Sequence, residues 1–334
     1  MIRLFFICLV AFAATAKADA PKLYKHQLQA PVAGLSATGS GLRLALKDGP
    51  VYMVGLAGSA LKFSPARAVA PAKLGPNSLP DTVVATGSRG ISAAWFIEPT
   101  RRYGHGVLGD AIEAGGLAAR LSDGRVISIS LDQHSVFEDR VPRLADMDGD
   151  GKDEILAVRS YLDRGAALTV IAPTKTRDAL AIVGEAAAIG LSHRWLNPVG
   201  VGDFDGDGRI EAGVVITPHI GGTLQLYEWR GARLVPDHDT FGFSNHAMGS
   251  RELGLAAVAD MNSDGVPDII LPDDTRRDLE VVTFKGGEAK TLFEISIGGR
   301  LAGPVAAADI DGDGRPEIAF VLTGDVLVIA DPSP

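Results

Sequence analysis

The chain has 334 residues, 46% of them hydrophobic and 22% charged, with a formal net charge of −9 and a single cysteine, Cys8. An acidic balance without a Lys/Arg block argues against nucleic acid as a partner, and one cysteine leaves no disulfide to stabilise the fold. Length alone suggests two domains, a division that the internal repeats override.

At the N-terminus, Arg3, the apolar run from Leu4 to Ala14 and Ala16-Lys17-Ala18 read as a secretory signal peptide over residues 1–18, cut after Ala18. The run is too short to span a bilayer comfortably, and no later apolar segment is long enough for a membrane helix. Phe6-Ile7 before Cys8 makes a poor lipoprotein box. The mature chain, one domain over 19–334, is then cysteine-free and secreted or periplasmic. Removing Arg3 and Lys17 takes 32 basic residues to 30 against 41 acidic ones, a net charge of −11.

A strand is expected near Lys22 to Gln29. In a first unit over 30–62, Leu42 to Leu46 and Val51 to Val54 flank Lys47-Asp48-Gly49-Pro50 as a hairpin. Two degenerate units follow. Leu79-Pro80-Asp81 leading to Ala85 echoes Arg315-Pro316-Glu317 leading to Val321. Gly109-Asp110 followed by Glu113 to Leu117 resembles Gly202-Asp203 joined directly to Glu211 to Val215.

Four full copies then carry a nine-residue loop with oxygen side chains at positions 1, 3, 5 and 9 and Gly at position 6. They are Asp146, Asp148, Asp150 and Glu154; Asp203, Asp205, Asp207 and Glu211; Asp260, Asn262, Asp264 and Asp268; and Asp309, Asp311, Asp313 and Glu317. A hard cation such as Ca²⁺ takes six to eight oxygens, and alternate positions of a tight turn can aim several at one point. Gly at position 6 permits the turn. The carbonyl at position 7 (Lys152, Arg209, Val266, Arg315) is a further expected ligand. Up to four structural Ca²⁺ ions would bring the net charge to about −3. The third loop, with Asn262 in place of Asp, should lose its ion first.

An EF-hand is excluded, because position 12 is Ala157, Val214, Leu271 or Phe320, each inside a β-like run. The loops therefore join strand to strand, with position 9 heading the second strand. Their first residues are 57, 57 and 49 apart, and short apolar strands follow each one. Short strands at regular spacing with Gly-rich turns predict radially repeated antiparallel sheets. The fold class is all-β, a seven-bladed β-propeller with six or eight blades as the range. The strand near Lys22 supplies the fourth strand of the last blade, closing the ring and removing exposed edges.

These loops and their spacing resemble the FG-GAP/VCBS repeat family, whose calcium-bearing propeller also forms the head of integrin α-subunits. The resemblance covers residues 100–330, with a fainter echo over 30–100. The literal Phe-Gly and Gly-Ala-Pro signatures are absent, the closest being Ala302-Gly303-Pro304. The resemblance implies structural calcium and a role in adhesion or binding, not an integrin's choice of ligand.

Signs of catalysis are sparse. Gly104 to Gly109 matches GxGxxG, but no strand enters it, Gly115-Gly116 would break the helix, and the repeat alignment assigns it to a blade's inner strand. The seven histidines (26, 105, 134, 193, 219, 238, 246) form no HxH or HExxH spacing, so a catalytic zinc has no support in the sequence. No GxSxG elbow occurs. Trp95, Trp195 and Trp229 could stack on sugars but suit blade cores better. The expectation is a non-catalytic binding or adhesion module for a protein or glycan ligand. The alternative is a carbohydrate-active enzyme, a polysaccharide lyase or hydrolase, which would cluster acid and base residues on one face.

Arginines recur nine residues before the first loop Asp: Arg194, Arg251 and Arg300, with Arg101 before Asp110 in a degenerate unit. Nine residues cross a blade at about 3.3 Å each. These arginines are therefore expected opposite the calcium loops, as a ring for an anionic ligand or as inter-blade ion pairs.

Overall fold

The computed structural model describes residues 20–39, 41–68, 74–75, 77–174 and 178–332, so the signal-peptide segment lies outside the described residues. Among the described residues every regular element is a β-strand. Strand β1 (Lys22–Gln27) precedes a first blade of β2 (Val32–Thr38), β3 (Gly41–Leu46), β4 (Val51–Ala57) and β5 (Ala60–Ala66). The second blade has β6 (Ala85–Thr86), β7 (Ile91–Thr100), β8 (Glu113–Leu121) and β9 (Val126–Ser130); β10 (Ser135–Phe137) bridges it to the third. The third has β11 (Arg143–Ala145), β12 (Glu154–Tyr161), β13 (Gly165–Pro173) and β14 (Leu180–Glu185). The fourth has β15 (Leu196–Gly202), β16 (Glu211–Ile216), β17 (Gly222–Arg230) and β18 (Arg233–Phe243). The fifth is β19 (Ala257–Ala259), β20 (Asp268–Pro272), β21 (Asp278–Thr283) and β22 (Lys290–Ser296), and the last is β23 (Leu301–Ala308), β24 (Glu317–Leu322) and β25 (Val326–Asp331).

The last blade is completed by β1, which pairs antiparallel with β25 from Lys22↔Asp331 to Gln27↔Val326. The two ends of the chain are thus joined in one sheet, and the outer edge of β25 is covered. The fold is a β-propeller.

The described strands form six four-stranded meanders, the lower end of the expected range rather than seven. The units expected at Leu79-Pro80-Asp81 and at Gly109-Asp110 belong to one blade. Its β7 and β8 are long and are joined by a twelve-residue connection, 101–112, so Gly109-Asp110 stands between the second and third strands. The glycines from 104 to 109 lie in that connection, not in an inner strand.

Alternating side chains of each sheet interdigitate with the next blade. One cluster joins the third and fourth blades through Leu156, Leu168, Trp195 and Val214, and another joins the fifth and sixth through Ile270, Val281, Ile318 and Phe320. Leu42, Leu44 and Val54 of the first blade pack on Leu327 and Ile329 of the last. Burial of such side chains, each contributing about 1.5–3 kcal/mol, holds neighbouring blades together. The inner strands line a central channel of about 1040 Å³.

Candidate metal loops and the opposite face

Each acidic loop joins the first strand of a blade to its second, so all four emerge on one face of the propeller. Position 9 heads the second strand, as expected: Glu154, Glu211, Asp268 and Glu317 are the first residues of β12, β16, β20 and β24. Position 2 is apolar because it plugs the core between blades; Met147, Phe204 and Met261 are buried there.

One hydrogen-bond pattern is repeated four times. The position-9 carboxylate accepts from the position-2 N–H, at 3.0 Å for Met147 to Glu154, 2.8 Å for Phe204 to Glu211, 2.9 Å for Met261 to Asp268 and 2.7 Å for Ile310 to Glu317. The first Asp accepts from the position-6 glycine N–H, at 3.0, 3.0, 2.8 and 3.0 Å in chain order. Positions 4 and 6 both have positive φ, so the turn makes its demand at two positions and not at position 6 alone. Position 4 is Gly149, Gly206 and Gly312 in three loops but Ser263 in the third, at φ +60°. That left-handed conformation disfavours any residue with a Cβ.

Both oxygens of Asp203, Asp260 and Asp309 accept backbone N–H groups, but three other carboxylate oxygens of the loops do not. Asp146 Oδ1, Asp268 Oδ1 and Glu317 Oε1 are buried without a hydrogen-bond partner. A buried unpaired carboxylate oxygen is costly unless a cation satisfies it, so the donor sets fit a hard divalent ion. Oxygens of Asp203, Asp205, Asp207 and Glu211 lie within 4.8 Å of one another, as do those of Asp146, Asp148 and Glu154 and those of Asp309, Asp311 and Glu317. Among the described residues the third loop forms no such cluster of carboxylates, as Asn262 replaces one of them. Asp150 and Asp313 stand outside their clusters; Asp150 is 3.8 Å from Lys152 Nζ. Burial among these aspartates pushes the carboxyls of Glu154, Glu211 and Glu317 up to about 7 in the metal-free chain.

The opposite face is built from connections between blades and from second-to-third strand turns. All four predicted arginines are on it, and of them Arg251 is engaged by carboxylates of the second blade. Its guanidinium pairs with Asp110 and, at 3.4 Å, with Asp81, and its carbonyl accepts from Arg140. Its connection, 244–256, thereby reaches across the channel mouth to the second blade, where Gly249 N–H donates to the Val107 carbonyl at 2.9 Å. Arg251 is therefore a structural bridge, although its acids are not those of an adjacent blade. Arg101 opens the connection after β7, whereas Arg194 and Arg300 stand two residues and one residue before the inner strands β15 and β23. Among the described residues Arg101, Arg194 and Arg300 make no carboxylate ion pair.

Sequence spacing gave no hint of the side chains between them. Tyr103 stacks on His193 at 5.0 Å between ring centroids, and His105 lies 5.2 Å from His193. His105 Nδ1 donates to Glu138 Oε1 at 2.7 Å, and the buried Glu138 also accepts from Ser160 Oγ at 2.5 Å. Trp195, buried as expected for a core residue, donates to the Glu138 carbonyl at 2.9 Å and packs against His219 and His246. His219 Nε2 and His246 Nδ1 are 2.8 Å apart, and burial lowers both imidazoles to about 4, so the pair is neutral. Burial raises the Tyr103 hydroxyl to about 12. Leu191, Ile220 and Met248, each about 60% exposed, stand on this face.

Residues 260–320 match the model of the FG-GAP-like repeat. That segment is similar to an FG-GAP-like repeat. It opens on the first residue of the third loop and ends in β24, so one repeat spans two loops and the blade seam between them. No curated protein matches the chain in sequence. Among solved structures, the WD40 domain of Toxoplasma gondii coronin is similar at 11% identity and a TM-score of 0.41, covering 93% of this chain and 87% of that one. The Bacillus licheniformis rhamnogalacturonan lyase PL11 is similar at 15% identity and a TM-score of 0.45, covering 92% of this chain and 66% of that one.

Proposed function

We propose that the protein is a calcium-stabilised propeller, acting outside the cytoplasm, that binds an acidic glycan or a partner's carboxylates on the face opposite its metal loops. The observation that carries this reading is the difference between the two faces. The loop face concentrates carboxylates, whereas the opposite face offers Arg101, Arg194 and Arg300 without carboxylate partners among the described residues, beside exposed Leu191, Ile220 and Met248. Guanidinium groups without internal partners recognise carboxylates bidentately, and the apolar side chains add contact area for a ligand's carbon skeleton. The calcium loops fix the strand connections and keep this face rigid.

The test is calorimetry of the mature protein in calcium with acidic oligosaccharides against their neutral counterparts. Acidic ligands should bind, and Arg194→Ala with Arg300→Ala should weaken binding at least tenfold with the melting temperature nearly unchanged. Equal binding of neutral sugars, or no change in the double variant, would sink the proposal. Arg251→Ala is the contrasting case, where stability should fall.

A second reading, a carbohydrate-active enzyme, is favoured by the His105–Glu138 pair. The buried carboxylate fixes the Nδ1–H tautomer and leaves Nε2 to exchange a proton, with Tyr103 alongside. Product release from polyuronates by wild-type protein, abolished in His105→Ala, would establish it. No turnover across a panel of acidic polysaccharides would reject it.

A further inference from the structure

Outside the calcium loops proper, one histidine stands among carboxylates at metal-ligand spacing. His238 Nε2 is 3.2 Å from Asp205 Oδ2 and 3.3 Å from Asp237 Oδ2. The three ligand atoms lie within 4.8 Å of one another. A histidine bridging two carboxylates by charge-assisted hydrogen bonds would sit at about 2.7–2.9 Å from its partner. Here both contacts are longer and nearly equal. Ligands about 2.0–2.2 Å from a tetrahedral ion are themselves separated by about 3.3–3.6 Å, and the observed contacts lie at the short end of that range.

The backbone explains how neighbouring residues meet at one point. Successive side chains of a strand normally point to opposite faces. In β18 the register against β17 runs from Gln225↔Asp239 to Tyr227↔Pro236, so Asp237 and His238 together oppose Leu226 alone. This bulge turns both side chains the same way, and both are half-buried where strict alternation would expose one. The fifth blade completes the enclosure. Gly286 N–H donates to the Asp205 carbonyl at 2.9 Å, the Phe284 ring lies over His238, and a Cβ at Gly287 would stand 3.2 Å from the imidazole. The pocket therefore lies in the seam between the fourth and fifth blades, with Asp205 common to it and to the second acidic loop.

We propose that Asp205, Asp237 and His238 form a separate site for a borderline divalent cation of the Zn²⁺ class, with water completing its coordination. One imidazole nitrogen with two carboxylates suits zinc, whereas the all-oxygen loops suit calcium, so the two ions are sorted by donor chemistry. The sharing of Asp205 places a zinc ion next to the second loop, and binding at either site biases the carboxylate that both use. This site is defined by its own residues and stands apart from the calcium reading except through Asp205.

The experiment titrates Zn²⁺ into tag-free mature protein held in excess Ca²⁺, by calorimetry, with Co²⁺ absorption in the visible as a second readout of a nitrogen- and oxygen-ligated site. One zinc per chain is expected. His238→Ala should abolish that uptake and Asp237→Asn should weaken it at least tenfold. Metal analysis of the same samples counts calcium separately, so a protein that binds no calcium fails the earlier reading without altering the zinc stoichiometry. Zinc binding equal in wild type and His238→Ala overturns the site. So does zinc uptake that excess calcium eliminates, because the ion would then be occupying an acidic loop. Circular dichroism and melting of the Asp237→Asn variant in chelator establish that it is folded, so that its loss of zinc reports on ligation.

Discussion

Filling the acidic loops should release protons, and by an amount that the structure sets. In the metal-free chain Glu154, Glu211 and Glu317 are pushed up to about 7 by burial, the surrounding aspartates adding to the effect. A carboxyl with a pKa near 7 is about nine-tenths protonated at pH 6 and about one-tenth at pH 8. Because a cation requires the ionised ligand, loading these three loops should expel about 2.7 protons at pH 6 and about 0.3 at pH 8. Calorimetric titration with Ca²⁺ in buffers of different ionisation enthalpy measures the number directly. Stability must follow the same linkage. The folded-state pKa exceeds the unfolded value near 4.5, so the metal-free fold binds more protons than the unfolded chain, and its stability falls as pH rises from about 4.5 through 7. Calcium takes the place of those protons, so the rise in melting temperature on adding it should grow between pH 5.5 and 8. At a dissociation constant of about 3 × 10⁻⁴ M and about 3 mM Ca²⁺, each loop contributes about 1.4 kcal/mol. Proton release near zero at pH 6, or a calcium increment that is flat with pH, would refute the assignment of these glutamates as ligands.

Three further outcomes test the scaffold. Gly222→Ala should cost about 2–4 kcal/mol, since the new Cβ would stand 2.0 Å from the Phe243 carbonyl oxygen and 2.7 Å from Val215; an unchanged denaturation midpoint would contradict the close approach of β17 to β18. Ser263→Gly should stabilise the third loop by about 0.5 kcal/mol, because relief of the left-handed strain outweighs glycine's added chain entropy. It should also lower the calcium concentration at which that loop fills, as followed by melting temperature. Glu113, buried and raised to about 9 by burial and by Glu138, is protonated at neutral pH in the folded chain, so the fold loses stability through it progressively as pH rises from about 4.5 through 9. Glu113→Gln should therefore raise the melting temperature more at pH 9 than at pH 6, and equal shifts would place the carboxyl in a wetter environment.

The division between what could and could not be read from the sequence follows from how far apart the partners lie. Each acidic loop is local: all its side-chain oxygens fall within nine residues, and the glycine turns, the apolar plug at position 2 and the heading of the second strand lie in the same stretch. Four copies of that stretch made loop, strands and ring closure legible, including the pairing of Lys22–Gln27 with the last strand. The second blade misled the count because its connection at 101–112 imitates the end of a loop where no inner strand precedes it. The opposite face has no such locality. His105, His193, His219 and His246 come from four different connections, and only the ring brings their side chains together, so no interval between them carries information. Arg251 shows the same limit from the other side, being in register with Arg194 and Arg300 yet spanning the channel mouth to Asp110. At His238 a local signal did exist. Adjacent polar residues in a strand mark a bulge, but their common partner, Asp205, belongs to the second acidic loop, in another stretch of the chain. A repeat therefore shows most plainly the face on which every unit does the same thing, and hides the face on which the units differ.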